Sequence, residues 1–273
     1  MQIIDFHVHG GDFFRLRDDI QDLLTRRPLE PGADVRQIFS QREAMKAYLQ
    51  GYGVSRAVVL AECGPGTNFS IDSEMIVALT GQDSGLIPFG SINPNFHADP
   101  VAEWRRSVEL GVRGFKFYPA DHGFDPMTPG MTEVYGLCAL HGLPVMFHTG
   151  TTAQKDAEQK YIHPRDFEPI IAAHRGMPVI LAHAGKPTWY ADALELTESY
   201  ENVYVDTALV DVRALLEFGV ETRRAADKIL FGSDWPVCGS YAAVLERARN
   251  AGMSQRLAQK VFHDNAAALL GLH

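Results

Sequence analysis

"DFHVHGGDFFRLRDD", residues 5–19, is the stretch that decides the fold. It spans the end of the first strand-like run, where an open, doubly wound α/β sheet normally carries a glycine-rich phosphate loop. No G-x-G-x-x-G occurs there. Instead two histidines, His7 and His9, stand one residue apart. A strand sends alternate side chains to one face, so His7 and His9 are expected to point together, with Phe6 and Val8 on the other side. Paired imidazoles are poor core material and good metal ligands; a pair of exposed histidines on an edge strand is the alternative at this point.

The same kind of run recurs along the chain. After "QIIDFHVH" come "RAVVLAE" (Arg56–Glu62), "LIPFGSIN" (Leu86–Asn93), "VRGFKFY" (Val112–Tyr118) and "PVMFHT" (Pro144–Thr149). "PVILAH" (Pro178–His183), "NVYVDT" (Asn202–Thr207) and "KILFGSD" (Lys228–Asp234) complete eight. Between them lie stretches with apolar residues at helical spacing, such as "DPVAEWRRSVELG" from Asp99 and "MTEVYGLCALHG" from Met131, the latter stopped by Gly142. Eight strands alternating with helices predict a (β/α)8 TIM barrel, one α/β domain over residues 1–273. Two connections, Gly10–Ser40 and Thr149–Asp166, are longer than a barrel needs. These long loops after strands 1 and 5 are expected to shape or cover the pocket, with a short helix at "RDDIQDLL" in the first.

Composition excludes several classes of function. With 273 residues, 46% hydrophobic and 22% charged, the chain can bury a sizeable core. A formal net charge of -9 leaves no excess of Lys and Arg to neutralise a nucleic-acid backbone. No apolar run approaches membrane-spanning length, and with no basic or cleavage-site pattern visible before the first strand no secretory signal is expected. Three widely spaced cysteines, Cys63, Cys138 and Cys238, suit a reducing cytoplasm better than a disulfide framework. A cytoplasmic protein with a small-molecule partner is therefore expected.

The unusual polar residues fall at the ends of the predicted strands. His7 and His9 end the first, Lys116 lies near the end of the fourth, and His148 ends the fifth after outward Val145 and Phe147. His183 ends the sixth, with Ile180 and Ala182 outward. Asp206 ends the seventh, and Asp234 ends the eighth after outward Phe231 and Ser233. All would enter the barrel at its C-terminal mouth, where barrel enzymes keep their chemistry. Imidazoles and carboxylates brought together there suit a zinc-like divalent ion, with manganese, iron or cobalt as alternatives. Such an ion would lower the pKa of a water toward neutrality, with a histidine near it to move protons, which is a hydrolytic centre.

"DFHVH", "GVRGFKFYP", "FHTG", "LAHAG" and "FGSDWP" resemble, in order and spacing, the motifs of the amidohydrolase superfamily. The likeness is to its amidohydrolase-related branch of hydrolases, lactonases and aminocarboxymuconate-semialdehyde-type decarboxylases, and it runs from residue 3 to "KVFHDNAAALLGL". It implies His7, His9 and His148 as ligands of one metal, with Asp234 as a ligand that also hydrogen-bonds the water. It implies His183 as the residue that orients or deprotonates that water. In two-metal relatives a carbamylated lysine bridges the ions, so Lys116 would take that place and His183 the second metal. Lys116 is otherwise an ammonium for a substrate carboxylate or for Asp206. Barrels of this branch are often homodimers, although no stretch here marks an interface.

The activity implied is hydrolysis of a lactone, amide or ester-like bond in a small, anionic substrate, with His183 and Asp234 as the catalytic pair. A non-hydrolytic decarboxylase is the alternative. Decarboxylating relatives often carry a pattern like H-x-G-E after the sixth strand, where this chain has "HAGK" with Lys186. A barrel nuclease is disfavoured by "GSDWP" and by the acidic balance, and an inactive binding module by the full ligand set. Tyr118, Trp189, Arg15 and Arg17 are candidate substrate contacts, the arginines as carboxylate clamps. Glu62 and His122 lie near the predicted mouth with less weight, and His97, His141, His174 and His263 read as structural.

Overall fold

The computed structural model describes residues 2–64, 67–81, 85–152 and 160–272. Eight parallel strands form the centre: β1 (Ile3–His9), β2 (Val54–Leu60), β3 (Leu86–Phe89), β4 (Phe115–Phe117), β5 (Val145–His148), β6 (Val179–Ala182), β7 (Val203–Asp206) and β8 (Ile229–Leu230). Strands β1–β3 pair as one ladder and β4–β8 as another. Two narrow seams join them. Gly90 bridges to Phe115, and Lys116 N–H donates to the Gly90 carbonyl at 2.8 Å. At the other seam Val8 bridges Trp235, while Phe6 N–H donates to Phe231 O and His9 N–H to Trp235 O, both at 2.8 Å. The result is a closed (β/α)8 barrel, as the eight-strand pattern predicts.

Helices form where the caps and periodicity predict. Asp99 accepts from Ala102 N–H and starts the helix Pro100–Leu110, which stops at left-handed Gly111. Pro129–His141 likewise ends at Gly142 with φ 63°. In the first long loop the expected helix is present as Asp18–Arg26, preceded by the turn Phe13–Arg15. Of the second long loop, residues 153–159 lie outside the described residues.

The core has two layers. Val145, Phe147, Val179, Leu181, Val203 and Val205 pack outward among the helices. Ile4, Phe6, Val58, Phe89, Met146, Ile180, Ala182 and Leu230 fill the barrel interior. This layering corrects two expectations. Ile180 and Ala182 face inward, because β6 ends at Ala182 and His183 is not a strand residue. Alternation counted back from His183 is therefore out by one. Phe6 also faces inward, edge-on to Phe89 at 5.7 Å, while Val8 faces outward. From Asp5 to Val8 strand β1 advances three residues while its partner β2 advances two, from Ala57 to Val59. One extra residue breaks the alternation between Phe6 and His7.

Candidate metal centre

The shift in β1 leaves His7 and His9 at the mouth, together with residues from the ends of β6, β7 and β8. His7 Nδ1 donates to Asp206 Oδ2 at 2.8 Å, so its Nε2 carries the lone pair and lies 3.5 Å from Asp234 Oδ1. His9 Nε2 is 3.0 Å from the same Asp234 oxygen. His183 Nδ1 donates to the Ala208 carbonyl at 2.9 Å, which turns its Nε2 lone pair outward from that contact. Ligand atoms of His7, His9 and Asp234 lie within 4.8 Å of one another, as do those of His7, His183 and Asp206. His148 belongs to neither group; its ring is 4.7 Å from that of His183 and stacks on Tyr118 at 6.0 Å.

Backbone geometry puts the two carboxylates in different roles. Asp206 ends β7 and is fully buried, with Oδ1 accepting from His183 N–H at 2.8 Å and Ala208 N–H at 3.0 Å. It thus ties His7 to His183. Asp234 lies past the short β8, at φ 62°, and its N–H donates to the His7 carbonyl at 2.8 Å. His183 takes φ 63°. Left-handed non-glycine residues carry strain that a surrounding network must hold, and both occur here. Asp5 belongs to that network: its Oδ1 accepts from His7 N–H and Ser233 N–H at 3.0 Å each, and its Oδ2 from Tyr241 O–H at 2.8 Å.

Charges follow the burial. Burial raises the Asp234 carboxyl, but His7 and His9 outweigh it and hold the group below the usual carboxylate range. Asp206 is likewise held down by His7 against its burial. Burial lowers His9, His148 and His183, so all three imidazoles are neutral, the form in which they ligate metal. Lys116 is fully buried in the middle of β4, 5.0 Å over the Tyr118 ring, and burial pushes it down to about 8.

A cavity of about 300 Å³ opens at the mouth, and neither Lys116 nor Asp206 lines it. His7, His9, His148, His183, Asp234 and Tyr118 line it. Arg15, Arg17 and Trp189 do not. Arg15 is exposed, Arg17 pairs with Asp19 at 2.6 Å, and Trp189 packs edge-on against His163 at 5.0 Å. Conversely Glu62, Asp121 and Lys186 line the cavity. Burial, reinforced by Asp121, pushes Glu62 up to about 8, and burial raises Asp121 as well. Glu62 is legible as a strand-end residue; Asp121 sits in the one-turn helix Pro119–His122 and Lys186 just past the turn His183–Gly185, neither of which any periodicity marks. A larger cavity of about 550 Å³, lined by Arg27, Arg213 and Arg247, holds none of the histidines, so size does not select the site.

The donor set fits a divalent ion. His148 Nε2 is buried with no hydrogen-bond partner among the described residues, His9 Nε2 meets the Asp234 carboxylate, and the His7 and His183 tautomers both leave Nε2 available.

The Amidohydro_2 amidohydrolase model matches residues 4–272, and the chain belongs to that family. It is similar to an uncharacterised TIM-barrel protein, Bb4693, from Bordetella bronchiseptica (TM-score 0.81, 20% identity, 100% of this chain and 99% of the other). It is similar also to a probable 2-pyrone-4,6-dicarboxylic acid hydrolase from Acinetobacter baumannii (0.71, 14%, 99% and 100%). A third is dihydroxybenzoic acid decarboxylase from Polaromonas sp. JS666, with bound manganese (0.67, 13%, 99% and 97%). No curated protein matches the chain.

Proposed function

We propose that the chain is a metal-dependent hydrolase that cleaves a lactone, amide or ester-like bond in a small, anionic substrate. The observation that carries this reading is the meeting of His7 Nε2, His9 Nε2 and Asp234 Oδ1, with the His7 and His183 tautomers set by Asp206 and Ala208. His7, His9, His148 and Asp234 would hold one divalent ion, zinc by choice of donors. Such an ion supplies Lewis acidity toward a carbonyl and lowers the pKa of a water.

The chain's own groups do the rest. His183 takes the proton of the attacking water at Nε2 while Ala208 keeps the ring from turning. Asp234 orients that water by accepting a hydrogen bond. A C–O bond forms from the water oxygen to the carbonyl carbon, and the C–O or C–N bond to the leaving group breaks. The proton on His183 passes to the leaving oxygen or nitrogen, giving a carboxylic acid and an alcohol or amine.

Decarboxylation is the second reading, supported by the similarity to a decarboxylase fold. Lys186, where the resemblance places a glutamate in decarboxylating relatives, supports hydrolysis.

The test is elemental analysis of protein purified without added metal, followed by ester, lactone and decarboxylation panels. About one equivalent, lost in His148→Ala and retained in Lys116→Arg, with turnover of lactones or amides, is expected. Two equivalents, falling in Lys116→Arg, would replace the one-metal site by a carbamate-bridged pair. Release of carbon dioxide without hydrolysis would transfer the chain to the lyases. No metal, even after reconstitution with zinc or manganese, would overturn the proposal.

A further inference from the structure

Three polar side chains that line the cavity are not ligands in this reading. The Tyr118 hydroxyl and Asp121 Oδ1 are buried with no hydrogen-bond partner among the described residues. The third, Lys186, forms no ion pair among the described residues; burial lowers its pKa against the attraction of Asp234, Asp206 and Asp121. Buried polar groups are normally satisfied, and groups left open along a cavity are waiting for a ligand.

Each of the three is held in place from behind. Lys186 N–H donates to the His183 carbonyl at 2.9 Å, and Thr151 N–H donates to the Lys186 carbonyl at 3.0 Å. A Cβ at Gly150, which has φ 84°, would lie 2.3 Å from that same carbonyl oxygen, so the loop after β5 closes against the Lys186 backbone only because residue 150 is glycine. Tyr118 is stacked on His148, and the other side of the Asp121 carboxyl bonds the Thr152 side chain.

We propose that Lys186, Tyr118 and Asp121 form a subsite for a carboxylate carried by the substrate. Lys186 Nζ and Tyr118 O–H donate to the two carboxylate oxygens, and Asp121 meets a hydroxyl, N–H or carbonyl elsewhere on the molecule. This rests on the cavity being the reaction chamber, and it narrows the substrate to a small carboxylic acid bearing a second, hydrolysable carbonyl. Hydrolysis then yields a molecule with two carboxyl groups.

Isophthalate and its neutral diamide are suitable probes, titrated calorimetrically into the zinc-loaded and the zinc-free full-length chain. Isophthalate is expected to bind at least tenfold tighter than the diamide in both forms. Lys186→Gln should abolish that preference while metal content and diamide affinity stay unchanged, and Lys186→Arg should restore part of it. Tyr118→Phe should weaken isophthalate alone. Equal affinity for the two probes would overturn the subsite. So would a Lys186→Gln variant that still prefers isophthalate, because the carboxylate would then be held elsewhere. A chain that takes up no metal yet keeps the Lys186-dependent preference would sink the hydrolase reading and leave the subsite standing.

Discussion

At the residue scale, the centre depends on side chains whose direction is set by single backbone angles. His183 and Asp234 both adopt left-handed φ at the ends of short strands, and each thereby reaches the mouth from a position that regular alternation would not give. This is why the sequence reveals these residues as strand-end polar groups yet misplaces Ile180 and Ala182 behind them. Asn tolerates the left-handed region, so His183→Asn keeps the backbone while removing the free Nε2. Turnover should fall about 100-fold or more, with metal content unchanged, measured side by side on one preparation. Loss of metal in that variant would make His183 a ligand. His122 offers a separate check on burial. Both of its ring nitrogens lack partners among the described residues, and burial pushes it down to about 3. Below about 6.5 the unfolded chain takes up a proton that the folded one refuses, so stability declines as pH falls, by up to about 1.4 kcal/mol per unit. His122→Phe should flatten that limb between pH 6.5 and 5 in chemical denaturation; an unchanged slope would show that His122 does not carry it.

At the element scale, what was legible was the series of strands, because β-branched and aromatic runs and their glycine stops mark themselves locally. The irregularity in β1 was not, since an extra residue has no composition of its own. Strand β8 is likewise shorter than its sequence run: it keeps only Ile229–Leu230 in the ladder, and Phe231 N–H turns to the Val261 carbonyl at 2.9 Å. The stretch beyond it packs closely on β1. A Cβ placed on Gly232 would lie 2.9 Å from His7 Cβ, tighter than real contacts allow. Gly232→Ala should therefore displace His7 and lower zinc affinity at least tenfold. Competition with a chelator would measure this, and a fold retained by circular dichroism would separate it from unfolding. An unaltered affinity would mean that His7 is not a ligand or that β1 yields without cost.

At the scale of the whole molecule, the barrel was legible because eight alternating units admit few other closed arrangements, whereas its seams were not. The seam between β8 and β1 has no extended ladder, and the groups proposed to hold the ion lie on both sides of it. Metal binding should accordingly slow hydrogen exchange at Phe6, His9 and Asp234, whose amides cross the seam, more than at β5 or β6. Uniform protection, or none, would separate the ion from closure of the barrel.

The same seam has a bearing on how the chain is made. His9 and Asp234 meet across 225 residues, so this contact exists only after the last strand has been synthesised. No nascent chain released before Asp234 can bring these two residues together, however well its first strands have folded.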